Sequence, residues 1–185
     1  MNLEIEKSIK TLESGGLLLY PTDTVWGLGC DGTNEEAVKK VYELKERAES
    51  KSLVVLVNSL DMLNEYIKYI PEEALKLLNS LEKPTTIIYE HKQGLAQNMI
   101  AADNTIAVRI PNHKFCQDLL TKFGKPIVST SANKSGKDTP KSFDQIDSEI
   151  IDGVDYVVNL ERDVVSLKAS TILKLIGDEV QVIRA

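Results

Sequence analysis

The chain has 185 residues, 42% hydrophobic and 27% charged, and a formal net charge of −6. That size and apolar content support a packed core without disulfide or metal staples. The acidic balance argues against a surface that coats polyanions generally, since nonspecific nucleic-acid affinity comes from neutralising phosphates, but it leaves room for a local basic cleft.

The two cysteines, Cys30 and Cys116, lack the paired spacing of a zinc site or a redox pair and are expected as reduced thiols. The N-terminal MNLEIEKSIKTLESGG is charged and amphipathic, without the apolar core of a signal peptide. No apolar run approaches the roughly 20 residues of a membrane span. A cytoplasmic protein without membrane contact is expected.

Ile5, Ile9 and Leu12 recur at helical spacing, and Gly15-Gly16 stops the pattern. LLLY at 17–20 is a short buried strand closed by Pro21. Asn34 stands as an N-cap before EEAVKKVYELKER, read as a helix over 35–47 with acids first and bases last, as the helix dipole prefers. LVVLV at 53–57 is a second strand. Short helices are expected at 60–70 and 72–81, broken at Pro71. Strands follow at 85–90 and at 105–110, and HKFCQDLLTKFG forms a helix with a glycine stop. PIVS, DYVVNL, ASTILKLI and EVQVIRA supply the remaining strands, with Gly177-Asp178 as a hairpin turn. Helices and strands alternate early and strands cluster late, which predicts a mixed α/β sheet in one domain spanning 1–185. The segment 131–142, small and polar, is the loop most expected to move.

Several stretches carry candidate chemistry. PIVSTSANKSGK (126–137) places hydroxyls, an amide and lysines at a strand end, which suits either an anion-binding concavity or ordinary turn chemistry. It is not a Walker A motif. In YPTDTVWGLG (20–29), a polar turn lies between Tyr20 and Trp26, a reasonable wall for a small ligand or simply an Asp-stabilised turn. Gly27 and Gly29 allow close backbone approach. Lys45, Arg47 and Lys51 read as a cationic clamp for polyphosphate or as bases complementing a helix dipole. Arg109 shares a strand face with Thr105 and Ala107, small neighbours that leave room for an anionic ligand, although a structural carboxylate would also serve. His91 and His113 have no acidic or thiol neighbours at metal-ligand spacing, so no metal site is expected. There is no G-x-S-x-G elbow. Hydroxyls, lysines and arginines dominate, a profile for reactions run by positioning and charge neutralisation.

In this order, YPTDTVWGLG, Lys45-Glu46-Arg47, EKPTT, AVRIP, STSANKSG and Ser170-Thr171 resemble the YrdC-like family, the threonylcarbamoyl-AMP synthases. The resemblance implies a twisted mixed sheet with flanking helices around a central positive cavity. It implies the joining of L-threonine, bicarbonate and ATP, with Mg2+ arriving on ATP and without a protein nucleophile. The product would pass to a tRNA threonylcarbamoyl transferase complex that modifies the adenosine next to the anticodon. By the same resemblance, Thr24, Arg109, Ser129 and Ser170 meet threonine, with Arg109 pairing its carboxylate. Lys45, Arg47, Lys51, Thr105, Ser131, Asn133 and Arg184 lie on the ATP side. The departures from the pattern are Trp26 in place of a tyrosine, EKPTT without a Pro-Gly-Pro turn, and Lys51 where asparagine is common. The chain is expected to be the short form, without an extra C-terminal domain. Rival readings are a YciO-type paralogue, a module with weak RNA binding, and carbamoyl transfer of the hydrogenase-maturation type, which usually involves a longer chain.

Overall fold

The computed structural model describes residues 1–48, 53–80, 83–166, 170–176 and 179–184. Helix α1 (Asn2–Glu13) buries Ile5 and Leu12, and Gly15 takes a positive φ of 70° after it, so that the Gly16 N–H closes on the Thr11 carbonyl at 2.9 Å. The strands are β1 (Leu18–Tyr20), β2 (Gly27–Gly29), β3 (Val54–Leu56), β4 (Thr85–Glu90), β5 (Thr105–Arg109), β6 (Ile127–Ser131), β7 (Tyr156–Val157), β8 (Thr171–Ile176) and β9 (Glu179–Arg184). They form one sheet in the order β7-β1-β2-β6-β3-β5-β4-β8-β9. Pairs β1/β7, β3/β5 and β4/β8 are parallel and the others antiparallel, which is the mixed sheet the sequence predicts.

Helices cover both faces. Strand alternation sends Val55 into a core with Val38, Val41, Leu63 and Val108, under α2 (Glu35–Leu44), α3 (Leu60–Tyr66) and α4 (Glu72–Ser80). It sends Leu56 to the opposite side, with Ile5, Leu12, Phe115 and Leu119 of α1 and α5 (Lys114–Phe123). Burying each of these side chains contributes about 1.5–3 kcal/mol. A short α6 (Ser148–Asp152) joins Trp26, Ala132 and Ile146 in a smaller cluster beside β6.

Some boundaries differ from the sequence pattern. Strand β2 has no hydrophobic signature because its job is backbone contact: a Cβ at Gly29 would lie 1.9 Å from the Val128 carbonyl oxygen of β6. Helix α2 stops at Leu44, short of the expected 47. Glu46 adopts a φ of 51°, and the Arg47 N–H reaches back to the Tyr42 carbonyl at 2.9 Å, a helix-ending loop that turns Arg47 off the axis. The bases therefore lie beyond the last turn, while the Asn34 cap forms as expected, accepting the Ala37 N–H at 3.1 Å. Helix α3 ends at Tyr66 because Ile67 turns extended and bridges to His91. Of DYVVNL only Tyr156–Val157 pairs. Gly177-Asp178 lies outside the described residues, and the flanking strands pair antiparallel with Ile176 opposite Glu179.

Candidate functional site

A cavity of about 420 Å3 opens where β5, β6 and the turn after β1 meet. Strand alternation puts Val54, Arg109 and Ser129 on one face, since Leu56 pairs with Arg109 and Val54 with Ser129. Thr86 of β4 pairs with Ile172 and joins the same cavity. Thr22 builds the turn that carries Thr24: its hydroxyl donates to the Val25 carbonyl at 2.7 Å, accepts the Thr24 N–H at 3.1 Å and lies 3.0 Å from the Thr24 hydroxyl. Trp26 closes the wall, its ring 4.9 Å from that of Phe143. Tyr20 stands elsewhere than the sequence suggests. It is core, with its hydroxyl donating to the Val128 carbonyl at 3.0 Å.

Arg109 is 5% exposed and has the carboxylate partner the sequence left open. Its Nη1 donates to Thr24 Oγ1 at 3.0 Å and stands 3.0 Å from Asp23 Oδ1, an ion-pair contact without an aligned hydrogen bond. Its Nε is buried and has no hydrogen-bond partner among the described residues. An unpaired buried donor costs about 1–3 kcal/mol.

The expected residues divide. Thr24, Arg109, Ser129, Ser170, Arg47, Ser131 and Arg184 all line this cavity. Ser170 shares a 3.0 Å contact with the Thr86 hydroxyl, and Arg184 donates to the Ser170 carbonyl from Nη2 at 2.7 Å. Lys45 does not line it. Its ammonium is buried 2.5 Å from the carbonyls of Ser131 and Asn133, and its own carbonyl accepts the Ser135 N–H at 2.8 Å. Burial, then the charge of Arg47, holds its pKa down to about 8. Lys45 is a tie beneath the loop rather than a phosphate-facing cation. Asn133 does not line the cavity either, and its amide donates to the Lys137 carbonyl at 2.6 Å. Thr105 sits at the far end of β5, about 13 Å from Arg109 along an extended strand, bonded to Asp103 at 2.6 Å. Lys51 lies outside the described residues. The loop expected to move carries surface ion pairs: Lys134 bridges Glu46 and Glu149, and Lys137 pairs with Asp147.

Thr86, Thr139, Lys141 and Ser166 also line the cavity, and sequence reasoning missed them. Thr86 had one available signal, a threonine on the strand face opposite Ile87 and Tyr89. Lys141 had none. The described lining residues include Arg47, Arg109, Lys141 and Arg184 and no carboxylate. A local excess of positive charge in a chain of net charge −6 favours a polyanionic ligand. Cys30 and Cys116 are buried, and burial raises both thiols well above their ordinary range, so neither is a thiolate nucleophile at neutral pH. Among the described residues, the cavity lining supplies hydroxyls and cations, and neither cysteine belongs to it.

The Sua5/YciO/YrdC family model, described as telomere recombination, matches residues 10–185. A threonylcarbamoyl-AMP synthase from Saccharophagus degradans is 38% identical over 144 residues, covering 77% of this chain and 75% of the relative. The P. abyssi Sua5 structure complexed with L-threonine superposes over the whole chain with a TM-score of 0.90 at 26% identity, and this chain spans 54% of that protein's length. E. coli YciO superposes with a TM-score of 0.87 at 22% identity, covering 100% of this chain and 89% of that one, a likeness of fold.

Proposed function

The chain belongs to the Sua5/YciO/YrdC family, and from that premise we propose that it is an L-threonylcarbamoyladenylate synthase, a nucleotidyltransferase. The observation that carries this reading is the cavity itself, whose lining brings the buried Arg109 together with Arg47, Lys141 and Arg184. Arg109, Thr24 and Ser129 bind the carboxylate of L-threonine. Ser170 faces the same substrate. The amine of threonine takes up CO2 from bicarbonate as a carbamate. A carbamate oxygen then attacks the α-phosphorus of ATP, and the bond to the leaving pyrophosphate breaks. Arg47, Lys141 and Arg184 neutralise the phosphate charge that shifts to pyrophosphate, and Mg2+ enters as part of the MgATP substrate. Catalysis is positioning and electrostatics, consistent with the raised thiols and the lack of a serine nucleophile motif.

The product, threonylcarbamoyl-AMP, feeds tRNA threonylcarbamoyladenosine modification through a downstream transferase complex. A cytoplasmic location belongs to the same proposal: among the described residues, no helix is long and apolar enough to cross a membrane. The test is pyrophosphate release from MgATP, with threonine or bicarbonate omitted in turn and the adenylate detected by mass. Release that needs both, with the adenylate present, supports the reading. ATP binding without turnover under every omission would overturn it and favour the YciO-type alternative.

A further inference from the structure

We infer that Asp23 is a positioning residue for substrate recognition, aiming the guanidinium of Arg109 at the amino-acid carboxylate. The inference rests on the proposed pairing of Arg109 with threonine. Asp23 and Thr24 are adjacent, and both engage the same nitrogen. Thr24 accepts a hydrogen bond from Arg109 Nη1, and Asp23 Oδ1 stands 3.0 Å from it. The other oxygen of Asp23 accepts the backbone N–H of Asn112 at 3.0 Å. The loop that leaves β5 after Arg109 thus grips the carboxylate that in turn grips Arg109.

This closed ring engages Nη1 and leaves Nε outside it. Nε carries a buried hydrogen without an acceptor among the described residues. A carboxylate approaching a guanidinium from that side makes paired, charge-assisted bonds. Asp23 itself lines a separate neighbouring cavity of about 580 Å3, while Thr24 and Arg109 line the substrate cavity. Asp23 therefore acts through Arg109. Its side chain is 8% exposed and that of Arg109 5%, so the pair has little freedom to rearrange.

The experiment measures steady-state kinetics of adenylate formation for Asp23→Asn, Asp23→Glu, Arg109→Ala and the double variant Asp23→Asn/Arg109→Ala. Asp23→Asn is expected to raise the KM for L-threonine about tenfold, leaving the KM for ATP unchanged and kcat at saturating threonine within about threefold. The double variant should be no worse for threonine than Arg109→Ala alone. Asp23→Glu restores the buried charge but displaces the guanidinium, so it should not rescue the threonine KM. Rescue by glutamate would mean that Asp23 only balances charge, and would overturn the inference. An unchanged threonine KM in folded Asp23→Asn would do the same. If Arg109→Ala itself leaves threonine KM unchanged, the proposed carboxylate pairing fails first, and this inference with it. Should the Asp23 variants not fold, the wild type decides. Adding threonine should shift the nitrogen-15 signal of Arg109 Nε and leave the Asp23 carboxyl carbon signal in place. A moving carboxyl signal with a static Nε overturns the assignment.

Discussion

The two sets of cavity residues proposed for threonine and for the phosphates are built differently. In the first, Thr24, Arg109 and Ser129 are all buried, two of them on sheet strands, and the arginine is held by Asp23 and Thr24. In the second, the cations come from chain segments outside the central strands: Arg47 after a helix, Lys141 on a loop and Arg184 at the end of an edge strand. A small ligand with one carboxylate gains from a preformed, desolvated charge, because interactions strengthen as water is excluded. A triphosphate carries its charge over a longer span and must leave as pyrophosphate, so several partly hydrated cations serve it better than one buried one.

The sharpest way to break this contrast is Arg109→Ala. It should weaken threonine binding about 100-fold and ATP binding less than about threefold, measured by calorimetry with each ligand alone. The same variant leaves Asp23 as an uncompensated buried carboxylate, and unfolding by denaturant should show a loss of about 3 kcal/mol. Arg47→Ala should do the reverse for ligands, weakening ATP about tenfold and threonine little. Equal losses in both ligands for either variant would erase the distinction between the two sets. Salt gives a milder test. Between low and roughly half-molar ionic strength, the KM for ATP should rise about threefold and that for threonine should stay nearly constant, because exposed charges are screened and buried ones are not.

Lys45 supplies the smallest effect, through pH. Its pKa falls from the ordinary 10.5 to about 8 in the folded chain, mainly through burial and then through Arg47. Between these values the unfolded chain holds the proton more often than the folded one, so raising pH through this window stabilises the fold at this residue. Below about pH 8 the penalty for burying the charge is present in full. The difference in melting temperature between wild type and Lys45→Met should therefore move in favour of the wild type from pH 8 to 10. A difference that stays flat would show that the ammonium is not buried as described.

The sequence by itself determined the alternation of helices and strands, the mixed sheet, the Asn34 cap and the stop at Gly15-Gly16, because these follow from local periodicity and backbone preference. It also pointed to Thr24, Arg109, Ser129 and Ser131, since hydroxyls and an arginine at strand ends stand out against an apolar pattern. Only the tertiary structure decided the rest. It turned Lys45 under the loop, because two carbonyls from residues far along the chain converge there. It carried Thr105 away from Arg109, because a strand that sets residues on one face also spaces them along it. It revealed β2, whose glycines answer to the backbone of β6. It brought Lys141 to the cavity and Asp23 to the back of Arg109. Those meetings depend on pairings across long stretches of chain, and no local pattern encodes which distant residue will stand opposite.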